Sequence, residues 1–145
     1  MDTYKKSVAI ELRTTIDDNG QMEYNTIKQS GDFYKKNHLD VLTYEEKMED
    51  NSTIKNLITI QTDRVSIKRS GNVTMNQKFR KNHTTENVFQ HPHGNIHMET
   101  YTNSISYQSM NENDQGKLTI SYTVKLNGQE ERKHELVLTY TEEGA

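Results

Sequence analysis

Along most of this chain, apolar residues occupy every second position. Val8, Ile10, Leu12 and Ile16 alternate with polar neighbours, and Asp17-Asp18-Asn19-Gly20 closes that run as a turn. Extended pieces are expected next at 23–29 and 32–36, split by Ser30-Gly31-Asp32. VLTYEEK (41–47), IKNLITIQ (54–61), RVSIKR, VTMNQKFR, NIHMETYTNSISY, KLTISYTVKL and HELVLTY follow. Threonine, tyrosine, isoleucine and valine dominate these runs, as a half-buried pleated surface favours. No segment carries a sustained 3.6-residue period. One short helical turn is allowed for, within RKNHTTENVF (80–89). The pattern predicts an all-β fold: a closed antiparallel up-and-down barrel of roughly eight to ten strands, in one domain over residues 1–145.

Parity then sets the turns. In RVSIKRSGNVTMNQKF the apolar positions before and after the turn are all odd: Val65, Ile67, Val73, Met75 and Phe79. A two-residue loop would pair odd with even and turn one strand's apolar set to water. A three-residue loop at 70–72 is therefore expected, pairing Arg69 with Val73 and Ile67 with Met75, with Gly71 or Asn72 at positive φ. The same reasoning makes Asn127-Gly128 part of a bulged turn, because Leu118, Ile120 and Tyr122 must face Leu136, Leu138 and Tyr140.

Composition fits such a shell. Only 30% of the 145 residues are hydrophobic against 27% charged, yet the net charge is just −3. A single sheet curled on its own core needs apolar side chains at alternate positions only. Cysteine is absent, which excludes disulfides and thiolate chemistry. No apolar run suggests a secretory signal or a membrane span, so a soluble cytoplasmic protein is expected. The near-neutral balance argues against a dedicated nucleic-acid binder.

RSGNVTMNQKF (69–79) resembles the YwiB-like family of small bacterial proteins, through Arg69, Ser70, Gly71, Val73, Met75, Asn76, Gln77, Lys78 and Phe79. GDFY, the Tyr-Glu-Glu of VLTYEEK, Gly94 followed by ETYTNSI, and GKLTISY extend the similarity from about residue 7 to residue 143. The resemblance implies a calycin-like, lipocalin-like closed barrel. It brings no activity, cofactor or catalytic residue with it.

QHPHGNIHMETYT (90–102) concentrates three of the six histidines. Two imidazoles two residues apart can converge on zinc. Here Ile96 and Met98 claim the core face, so His91, His93, His97 and Glu99 project outward, and Pro92 and Gly94 interrupt the strand. An outward site lacks the supporting shell that makes ligands selective, so no metal and no cofactor are expected. Catalysis finds no support either: there is no nucleophile elbow and no Gly-rich phosphate loop. The paired carboxylates, Glu112-Asp114 among them, fall in turns, with Glu45 the one placed to enter the barrel mouth.

Two binding readings remain. Arg69 and Gln77 share the core parity of their hairpin, and with Tyr44 and Tyr122 they could meet a small ligand having an apolar part and an anionic end. In the simpler alternative Arg69 pairs at the rim with Glu45 or Glu11. Lys68, Lys78 and Arg80 are even-numbered and outward, within a basic hairpin that also holds Arg64 and Lys81. They could dock a polyanion or protein partner, although exposed aromatics for base stacking are missing from that stripe. Oligomeric state is not encoded in any of these patterns.

Overall fold

The computed structural model describes residues 4–110 and 115–143, with the side chains of Tyr4 and His91 excepted. Ten strands form a closed antiparallel barrel: β1 (Tyr4–Asp18), β2 (Gln21–Lys36), β3 (Leu39–Lys47), β4 (Thr53–Ile60), β5 (Arg64–Ser70), β6 (Thr74–Arg80), β7 (Thr84–His91), β8 (Gly94–Gln108), β9 (Gln115–Leu126) and β10 (Arg132–Glu142). Each strand neighbours its successor, and β1 closes the ring against β10. Among the described residues there is no helix, and hence none long and apolar enough to cross a membrane.

Alternation places the core where the pattern put it. Val8, Phe33, Leu42, Ile58, Phe79, Leu118, Ile120 and Leu138 are buried, and Met98 is 5% exposed. Burying one such side chain contributes roughly 1.5–3 kcal/mol, so every second residue suffices to hold the shell.

The turns follow the parity argument, with one shift in register. Three residues, 71 to 73, connect β5 to β6, and Gly71 takes the left-handed conformation at φ 147°. The ladder pairs Arg69 with Met75 and Ile67 with Gln77, two residues further on than expected. Odd still faces odd, so every side chain keeps its face. At Asn127-Gly128 both residues have positive φ (50° and 72°), and Gln129 N donates to Leu126 O at 2.9 Å. The ladder then resumes at Val124 opposite Arg132, with Ile120 opposite Leu136, which requires the extra residue of a bulge.

Two expectations are corrected. Residues 80–89 hold no helical turn. Asn82 makes a left-handed corner (φ 64°), and Thr84–His91 is a strand paired to β8. Residues 23–29 and 32–36 are one continuous strand, β2. Gly31 keeps it unbroken where a Cβ would lie 2.3 Å from Thr43 O. β8 also contains a bulge between Thr102 and Ser104, so its inward set changes from Met98, Thr100 and Thr102 to Ile105 and Tyr107.

The wall is not uniformly knitted. β1 pairs with β10 from Val8 to Asp17, whereas β6 and β7 share only the Thr74–Gln90 pair. β2 meets β3 only over Gly31–Lys36, so the backbone of Gln21–Ser30 is ladder-paired with β1 alone.

Candidate functional site

Inside the barrel, polar groups gather at the two ends. One end, the Asp40 pole, unites Asp40 on β3, Tyr107 on β8 and Tyr140 on β10. Tyr107 Oη donates to Asp40 Oδ2 at 2.6 Å and lies 2.5 Å from Tyr140 Oη. Lys35 Nζ stands 3.8 Å from the other carboxylate oxygen. β3 and β8 are five strands apart in either direction round the ring, so this contact crosses the interior. Burial, and then the bond to Asp40, raise the Tyr107 pKa; burial raises that of Tyr140 as well. The Tyr140 ring stacks on Phe33 at 5.1 Å and lies over Gly116, where a Cβ would meet it at 2.0 Å.

At the other end, the Arg69 pole, Arg69 Nη2 approaches Glu46 Oε1 at 3.2 Å, and Asn56 Nδ2 donates to the same oxygen at 2.9 Å. The partner is neither Glu45 nor Glu11. On β3 the inward residues are Asp40, Leu42, Tyr44 and Glu46, so parity sends Glu45 out to water. Tyr44 is buried beside this pair. Burial, reinforced by Glu46 and opposed by Arg69, pushes its phenol up to about 12.

The four proposed ligand contacts are thus divided among several environments. Arg69 and Tyr44 adjoin Glu46. Gln77 is buried and donates through Nε2 to Thr100 Oγ1 at 3.0 Å. Tyr122 is buried between Phe79, ring centroids 4.7 Å apart, and His134, 5.0 Å away. Burial raises the Tyr122 pKa and depresses that of His134 to about 4, so the imidazole is neutral at pH 7. Within this lining Asn87 keeps both side-chain amide atoms buried without a partner, as does the Thr102 hydroxyl.

Concavities large enough for a small ligand lie on the outer wall. One of about 550 Å³ is lined by Thr43, Glu45, Lys55, Leu57, Lys68 and Ser70, among others; another of about 540 Å³ lies over β1, β2 and β10.

Lys68, Lys78 and Arg80 are exposed on the outer face, as parity requires, together with Lys55 and Arg64. Arg64 stands directly opposite Arg80, and Arg64 has Asp63 3.6 Å away. Among the described residues, Lys55, Lys68, Lys78 and Arg80 form no ion pair. Residues 53–81 carry seven Lys/Arg against the single Asp63, a net of +6; with the chain at −3, the remaining residues carry −9. Outward parity could have added Arg64 and Lys55 to the stripe from sequence, whereas the Asp40 cluster left no local signal.

Of the histidine segment, His93 lies in the β7–β8 turn and His97 is exposed, while Glu99 is half-buried on the outer face. No grouping of three or more metal-ligating side chains occurs among the described residues. The His91 side chain and Glu112-Asp114 lie outside them.

Residues 10–138 match the model of a family described as a domain of unknown function, DUF1934. The chain belongs to that family. It is 27% identical over 133 residues to the uncharacterized beta-barrel protein YwiB of Bacillus subtilis (strain 168), covering 92% of each chain. The crystal structure of YwiB from the same organism superposes with a TM-score of 0.85 at 24% identity, over 97% of this chain and 94% of that one. That agreement supports the DUF1934 barrel as a fold.

Proposed function

We propose that this protein is a non-enzymatic binding module that engages a polyanion through the outer face of β4–β6. The observation that carries the reading is the Arg64–Arg80 pair, two like charges held directly opposite each other on neighbouring strands. Such a pair destabilises an isolated sheet and becomes favourable when an anion sits between the guanidinium groups. Lys78 and Lys68 continue the same face with no carboxylate partner among the described residues, inside a segment whose charge opposes that of the rest of the chain.

A small interior ligand has less support from the same geometry. Arg69 already has Glu46 as its counter-charge, Gln77 already has Thr100, and Tyr122 is sealed between two rings.

The test is binding of a fluorescently labelled RNA followed by anisotropy. Affinity should fall steeply between about 50 and 200 mM salt, as counterion release requires. Replacing Lys68, Lys78 and Arg80 together by glutamine should abolish binding while moving stability by no more than about 0.5 kcal/mol, because all three are exposed. A wild-type protein that binds no polyanion at low salt, or a triple variant that still binds, refutes the reading.

A further inference from the structure

We infer that the polyanion of this face is a single strand of nucleic acid, held extended with one phosphate per row of cations. This rests on the polyanion reading above and adds the class of ligand.

The ladder registers fix where each cation stands. Taking β5 as a ruler, Arg64 and Arg80 share the first row and Lys78 stands opposite Ser66 in the second. Lys68 occupies the third row, beside Leu57, and Lys55 stands opposite Ser70 in the fourth. Each row therefore holds at least one cation, and successive rows are two residues apart, about 6.8 Å. The line steps from β6 to β5 to β4, so the charges run diagonally in single file for roughly 20 Å. That interval is comparable with the spacing of successive phosphates along an extended nucleic-acid strand. Inorganic polyphosphate packs its charges far more closely than the rows do.

Carboxylates stand beside the file on both flanks, joined on the β3 side by Lys47. Glu45 lies opposite Lys55 on β3, and on the other side Glu86 and Glu99 face each other across β7 and β8. One backbone fits between these flanks. The second backbone of a duplex, a groove's width of about 6–12 Å away, would lie over carboxylates. At the β4 end the file enters the outer groove of about 550 Å³, where Leu57, 39% exposed, offers an apolar contact for a base or sugar. No aromatic side chain lies on these rows, so stacking adds little and binding should be indifferent to sequence.

The experiment compares labelled single-stranded RNA and DNA with a duplex of the same length, and uses inorganic polyphosphate as competitor. Four neutralised phosphates on a single strand give a salt slope of about −3, a loss of about 50-fold between 50 and 200 mM salt. Changing Lys55, Lys68 or Lys78 singly to glutamine should reduce that slope by about 0.7 each. The duplex should bind at least about tenfold more weakly. Replacing Glu86 and Glu99 by glutamine should narrow that gap. Duplex or polyphosphate binding as tight as the single strand, or single variants that leave the slope unchanged, overturns the single-file inference while the polyanion reading stands. Absence of binding to every polyanion removes both.

Discussion

The barrel's two ends solve the same problem, a charged group turned inward, in different ways. At the Asp40 pole the carboxylate is 6% exposed; Tyr107 of β8 donates to it across the interior, Tyr140 of β10 is bonded to Tyr107 in turn, and Lys35 of β2 stands 3.8 Å away. At the Arg69 pole the ion pair is drawn from strands β3 and β5 with Asn56 of β4 between them, and its side chains keep 26% and 17% of their exposure. A deeply buried carboxylate is tolerable only when its oxygens are bonded, so the first cluster must form whenever the barrel closes. The second can open to water at modest cost. The Asp40 pole therefore acts as the barrel's clasp, and the Arg69 pole as its rim.

That contrast fails first if the clasp can be cut cheaply. Tyr140→Ala removes a ring that is 1% exposed and stacked on Phe33, and it should destabilise by about 3–5 kcal/mol in urea unfolding. Next comes Asp40→Ala, which leaves the Tyr107 hydroxyl without its acceptor and should cost about 1–3 kcal/mol. If denaturant melts of both variants overlay the wild type, the two poles are equivalent and the clasp does not exist.

The asymmetry also explains what could be read in advance. Inward Arg69 was legible because its hairpin obeys one parity throughout; its counter-charge is Glu46, one position beyond the expected Glu45, and its strand neighbour is Met75 rather than Val73. The clasp was not legible. Asp40 and Tyr107 are 67 residues apart, and the bulge between Thr102 and Ser104 reverses the inward parity of β8 just before Tyr107. The switch of apolar parity from Ile96 and Met98 to Ile105 and Tyr107 signals an extra residue, but Thr102, Asn103 and Ser104 suit either face and so do not place it. The core, by contrast, was specified redundantly, since each strand contributes several apolar residues of one parity. The stretch RKNHTTENVF is too polar for such a signal, and there a strand passed for a possible turn.

Between clasp and rim in expected effect lies His134. Its folded-state pKa, about 4, lies below the ordinary 6.5, because burial and then Arg132 disfavour the imidazolium. The unfolded chain therefore takes up the proton first. The contribution of the neutral ring is fully present above pH 6.5 and is lost as pH falls from about 6.5 towards 4. Allowing for solvent screening of this half-buried ring, the loss is on the order of 1 kcal/mol. Thermal melts of wild type and His134→Gln at pH 7 and pH 5 should show a smaller drop in the variant. Parallel curves would mean that the ring is as well solvated in the folded barrel as in the unfolded chain.

The smallest expected effect bears most directly on function. A double-mutant cycle of Arg69→Met and Glu46→Gln should return a coupling of about 0.2–1 kcal/mol, the range of a partly exposed pair. A coupling in that range means the guanidinium is already engaged, and an anionic ligand entering at the rim would have to displace Glu46. A coupling of zero would leave Arg69 available, and the case for an interior ligand would regain its strongest residue. Since Arg69 adjoins Lys68 along β5 but points inward, Arg69→Met should leave polyanion binding unchanged while Lys68→Gln weakens it. Equal losses from both substitutions would place the anion at the rim, where clasp and rim could no longer be told apart by structural duty alone.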